Sequence, residues 1–165
     1  METDKTIDVL NKLVEINNDR IEGYQTASKE TVDPDLITLF KQFVQISEKC
    51  NQELSSEIFR LGGTPTEETK ISGKVYRTWM DIKSNINGHD RIALLNSCKF
   101  GEENAVETYE NELKDDLEYL SEEQTTMVSS QFALIKADHT RLKSILVAQE
   151  VGNYMDSNTR FKSFK

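Results

Sequence analysis

Glu102, His139, Cys50 and Asn17 are the residues of this chain whose types and spacing could do chemistry. Glu102 falls in a helical repeat, Leu95, Cys98, Glu102, Ala105, Tyr109, at a position that asks for an apolar side chain. His139 interrupts a second repeat between Ile135 and Leu142, while Asn17 and Cys50 fall within two more. A buried carboxylate is costly unless paired or hydrogen-bonded, so Glu102 needs a partner or a task. In one reading Glu102 and His139 hydrogen-bond each other beside Asn17, as a polar layer that fixes helix register. In the alternative, Glu102, His139 and Cys50 hold a single Zn²⁺ or Fe²⁺, with Asn17 or water completing the site. Cys98, one turn from Glu102, could substitute for Cys50.

Catalysis without a metal has little support. There is no Gly-rich phosphate loop, nucleophile elbow or Cys-x-x-Cys. A cysteine on a helix seam, far from a helix N-terminus, lacks the field that lowers a thiol pKa. The other histidine, His89, falls in a turn and is expected to be solvated.

The elements that must position these residues are helices. At 165 residues the chain is long enough for one domain with a sizeable core. Seven Gly and two Pro leave few breaks between long charged segments of helical period, which implies an all-α fold. The net charge of −9 argues against nucleic acid and anionic membranes as partners. No stretch approaches the ~20 apolar residues of a membrane span, and the charged start METDKTIDVLNK is no secretory signal. Cys50 and Cys98 suit a reducing cytoplasm as small core residues.

Four long helices are predicted. The first covers about Asp4–Lys29, with a seam through Ile7, Leu10, Val14, Asn17, Ile21 and Tyr24 and with Asp19 and Glu22 on the outer face. The second covers about Pro34–Leu61, with Asp33 as its cap and Gly62-Gly63 as its stop. A loop and a short helix, Lys74–Ile86 with Trp79 in its apolar face, lead to Asp90, which caps the third helix, running to about Leu117. Ser121-Glu122-Glu123-Gln124 is a capping box for the fourth. Its seam includes Gln131, Ile135, His139 and Leu142, with Asp138 at the edge, and Gly152-Asn153 ends it. Residues 1–150 thus form the bundle, and 151–165 a flexible tail.

Short loops make two antiparallel hairpins, and the long connection lets the second start at the other end of the bundle. Asn17 and Cys50 are equidistant from the first hairpin turn, as Glu102 and His139 are from the second. A two-fold relation between the hairpins brings all four to the centre.

This pattern resembles the ferritin-like bundles, rubrerythrins and bacterioferritins included. There, helices one and three each carry a Glu seven residues before a Tyr, and helices two and four each carry Glu-x-x-His. Glu102…Tyr109 and His139 keep parts of that set. Asn17 stands in place of the first Glu, Cys50-Asn51-Gln52-Glu53 lacks the His, and Lys136 precedes His139 by three. The ligand count argues against a di-iron centre.

A closer resemblance, over nearly the whole helical part, is to a bacterial family of ferritin-like proteins bearing a domain of unknown function. It is carried by Asp19-x-x-Glu22-Gly23-Tyr24, Glu53-Leu54, Leu61-Gly62-Gly63-Thr64-Pro65, Arg77-x-Trp79-Met80, Gly101-Glu102-Glu103 and His139. It implies a ferritin-like up-down four-helix bundle with a short crossover helix between helices two and three. The expected function is that of a non-enzymatic, structural, stress-related or protein-interaction bundle whose di-iron site is degenerate. A homodimer through the Trp79 helix or an outer bundle face, or an unknown protein partner, goes with that reading.

Overall fold

The computed structural model describes residues 2–69 and 90–163, the last five as backbone. Its long helices are α1 (Glu2–Glu30), α2 (Pro34–Arg60), α3 (Arg91–Asp115) and α4 (Glu122–Ser163), with a 3₁₀ turn at Leu117–Tyr119. No strand occurs among the described residues. None of the described helices is long and apolar enough to cross a membrane. The predicted crossover helix Lys74–Ile86, with Trp79, and the turn at His89 lie outside the described residues.

The helix ends follow from local chemistry. Asp90 caps α3 by accepting from the Ala93 amide at 3.0 Å. At the head of α4, Ser121 Oγ accepts from Gln124 N at 3.1 Å and Gln124 Oε1 from Ser121 N at 2.8 Å, the reciprocal pair of a capping box. Gly62 closes α2 at φ 86°, a conformation that favours glycine. Asp33 holds the N-cap position of α2, but its side chain caps nothing. Its carboxylate accepts instead from Arg91 Nη1 at 3.1 Å, because a charged donor outcompetes a backbone amide.

α1 packs on α2 and α3, and α4 packs on α3 and α2. Every one of these contacts is antiparallel. Tyr24 stacks on Phe40 and meets Phe43 edge to face across α1–α2. Across α1–α3, Asn17 meets Tyr109 and Arg20 meets Glu102. The bundle therefore runs up, down, down, up, with α2 and α3 parallel on a diagonal.

Two apolar clusters fill the interior. One gathers Tyr24, Leu36, Phe40, Phe43, Leu95 and Leu142 with their neighbours. The other gathers Leu10, Leu13, Ile16, Leu54, Ile58 and Tyr109 with theirs. Fully burying one Leu or Phe contributes about 1.5–3 kcal/mol, so these two clusters carry the fold. Between them lies a band of buried polar groups.

Two elements depart from expectation. α4 does not end at Gly152-Asn153 but continues through the expected tail to Ser163. A single exposed helical glycine weakens a helix by about 1 kcal/mol, which is too little to stop it. Gly152 also lacks the positive φ of a terminator. Asp19, expected on the outer face, is buried. The chain leaving α2 lies along α1, where Asn11 bonds Thr64 and Thr66 and Asn18 bonds Thr66 and Glu68.

Candidate functional site

Arg20 is at the centre of the polar band. It projects from α1 and is only 2% exposed. Its Nε and Nη2 donate to Glu102 Oε1 on α3 at 3.1 and 2.6 Å. Nη2 also donates to Asp138 Oδ2 on α4 at 2.9 Å, and Nη1 to Ser47 Oγ on α2. The Tyr24 hydroxyl donates to the same Glu102 oxygen, and the guanidinium lies 5.6 Å from the Tyr24 ring centroid. One cation thereby ties together all four helices.

The electrostatics follow from burial and charge. Burial alone would lower the Arg20 pKa, but the charges of Glu102 and Asp138 with the hydrogen bond to Glu102 outweigh it, and the net direction is up. Burial, then the charge of Glu102, pushes Tyr24 well above its usual value, so it stays a neutral donor. Burial pushes Asp138 up to about 6, against the pull of Arg20.

A second, uncharged tier crosses the bundle on the other side of Arg20. Asn17 Nδ2 donates to Tyr109 Oη at 2.7 Å and to the Leu13 carbonyl at 2.8 Å. Tyr109 donates to Gln131 Oε1 at 2.8 Å. Gln131 Nε2 reaches the Cys50 carbonyl at 3.4 Å and Glu53 Oε1 at 3.1 Å. The Cys50 thiol lies beside the Tyr109 hydroxyl, and burial pushes it up to about 11. Burial and then Glu102 raise Cys98 as well, so both free thiols are held in the protonated form.

The four residues singled out by spacing do not converge. Asn17, Cys50 and Glu102 are fully buried as expected. Asn17 and Cys50 belong to the uncharged tier, Glu102 to the charged one. His139 joins neither. Glu102 is paired with Arg20 and Tyr24, and His139 Nε2 stands 3.9 Å from Glu103 Oε1 at the α3–α4 boundary, its side chain 18% exposed. The expected Glu102–His139 pair is therefore replaced by Glu102–Arg20–Asp138. Adjacent helical residues point about 100° apart, and it is Asp138 that turns inward.

Spacing placed Ser47 and Gln131 on inward seams and Asp138 at the edge of one without assigning any of them to the site, and it missed Arg20. The signal available was the carboxylate itself. A buried Glu requires a cation, and Arg20 is the basic residue of α1 nearest in sequence to Asn17 and Tyr24.

These residues do not fit a metal pair. The space between Glu102 and Asp138 holds a guanidinium, which cannot lose its proton in a protein. Glu102 Oε2, Asn17 Oδ1 and His139 Nε2 are buried and make no hydrogen bond among the described residues, but they stand in three different places, the charged tier, the uncharged tier and the α3–α4 boundary. An ordinary Zn²⁺ or Fe²⁺ site brings its three or four protein ligands to one point. Among the described residues, no group of three or more His, Cys, Asp or Glu is placed to hold a metal ion.

Fold and site together define a ferritin-like four-helix bundle with an arginine-centred interior. The chain belongs to the family described as domain of unknown function DUF2383, which matches residues 5–115. No curated protein sequence matches it. Among solved structures, the ferritin-like, diiron-carboxylate proteins of Bacillus anthracis are similar at 16% identity and a TM-score of 0.68, over 88% of this chain and 98% of that one. A Mycobacterium smegmatis Dps1 variant matches at 14% identity and a TM-score of 0.71, over 88% and 97%. A dodecameric thioferritin, the bacterioferritin-related protein of Bacteroides fragilis, matches at 16% identity and a TM-score of 0.56, over 98% and 90%. At these identities the likeness is one of fold.

Proposed function

We propose that this protein is a non-enzymatic bundle of ferritin-like architecture, in which the Arg20 guanidinium takes the structural place of a metal centre. The observation that carries this reading is the cation itself. It bridges Glu102 and Asp138 from two different helices and touches the other two through Ser47 and its own stem. A bivalent carboxylate-bound metal ties a bundle together in the same way, but an arginine does so without redox chemistry or an open coordination position. The role left to such a protein is exercised through its surface, as a structural or protein-interaction module. Buried, unbridged cysteines suit a reducing cytoplasm.

Elemental analysis of untagged, full-length protein tests the proposal. Iron and zinc should be far below one equivalent, and a chelator should leave the melting temperature unchanged. One or more tightly held equivalents of iron or zinc, lost in Glu102→Ala, overturns it.

A further inference from the structure

α4 has 42 residues, against 25–29 for the other helices. At 1.5 Å per residue it is about 63 Å long. Tyr109 and Gln131 meet across α3–α4, so the start of α3 at Arg91 falls level with about residue 149 of α4. The last turns of α4 project beyond the bundle, and residues 150–158 are all exposed. A helical end of about this length is marginal in water without something to pack against.

The exposed face of α4 carries the pattern of a helix seam. Steps alternating four and three connect Ala133, Ala137, Thr140, Ser144, Val147, Val151 and Tyr154, all exposed and none charged. That is the 3.5-residue period of helices that wind on each other. Val147, Val151 and Tyr154 are 58%, 56% and 66% exposed. Thr140, Ser144, Val147 and Ala148 line a shallow groove with Lys143. The small residues lie over the bundle and the large ones toward the projecting end, so the stripe is graded in size along its length.

We infer that this face binds a second copy of the chain, α4 against α4 in antiparallel orientation about a two-fold axis between Ser144 and Val147. That register sets each large residue against a small one. Val147 faces the partner's Ser144, Val151 the partner's Thr140, and Tyr154 the partner's Ala137. The projecting end of each copy lies along the bundle part of the other, which gives the unsupported turns their packing. At the flank, Lys143 comes beside the partner's Glu150, and the symmetry makes this charge pair twice. A parallel pairing or a one-heptad slip loses both the size match and the charge match.

Sedimentation equilibrium of the full chain tests this. The wild type should be dimeric, and Val147→Glu monomeric with the bundle still folded, its far-UV circular dichroism falling by no more than the projecting turns of α4 contribute. Lys143→Glu and Glu150→Lys should each weaken the dimer by about tenfold, since each creates two like-charged contacts. The double variant Lys143→Glu with Glu150→Lys should return to near wild-type affinity. A monomeric wild type, a dimer indifferent to Val147→Glu, or a double variant no tighter than the singles overturns the inference.

Discussion

The Arg20 tier and the Tyr109 tier cross the same four helices within about two turns of each other. In the Tyr109 tier, Asn17, Tyr109 and Gln131 pass hydrogen bonds between uncharged groups, with a carboxylate only at its rim, on Glu53. In the Arg20 tier a cation meets two carboxylates, with Ser47 and Tyr24 supplying a neutral acceptor and donor. Each neutral link can fail by itself. The charged links cannot, because removing one partner leaves another charge buried and uncompensated. Similar geometry therefore gives two kinds of vulnerability, one local and independent of pH, the other shared and titratable.

The sharpest break in that contrast is Arg20→Met. It keeps most of the volume but strands Glu102 and Asp138 with no cation between them. Urea denaturation at pH 7.5 should show a loss of about 3–5 kcal/mol. The loss should shrink at pH 5, where Asp138 can take up a proton. A loss below about 1 kcal/mol, or one that is the same at both pH values, removes the distinction between the tiers. Tyr109→Phe is the matched test of the other tier. It removes one donor and one acceptor and should cost about 1–3 kcal/mol, equally at pH 5 and 7.5.

Asp138→Asn sharpens the comparison with a smaller effect. The native carboxyl is raised to about 6 from 3.8, so the folded state holds its proton more tightly than the unfolded one. The wild type should gain stability relative to the variant as pH falls from 7.5 through 6 toward 4, and level off below. Urea midpoints across that range measure it. A wild type that loses ground to the variant as pH falls contradicts the assignment.

Much of this was legible in the residues. Capping at Asp90 and Ser121–Gln124, the stop at Gly62, and the burial of Asn17, Cys50 and Glu102 all follow from local rules that act within a turn or two. The hairpin levels were legible too, since Glu102 and position 138 or 139 fall at one height. The choice between Asp138 and His139 was not. Ile135 and Leu142 are seven apart, and either intermediate residue satisfies a seam of threes and fours. What decides it is Arg20, a long side chain on another helix whose charge draws a carboxylate inward and leaves an imidazole at the boundary. Hydrophobic period records where a helix faces apolar neighbours. It does not record which ions a distant helix supplies.

The smallest test concerns the one carboxylate of the uncharged tier. Glu53 accepts from Gln131 at 3.1 Å but is exposed, so water can replace the bond. Glu53→Gln should change stability by about 0.5 kcal/mol or less, with no difference between pH 5 and 7.5. The same chemical change at Glu102 removes a buried charge facing Arg20 and should cost several times more. The ratio of the two losses, measured in one urea series, isolates burial from chemistry. If Glu53→Gln costs as much as Glu102→Gln, the carboxylate of the Arg20 tier is not paired as the geometry has it, and the difference between the tiers is one of position rather than of charge.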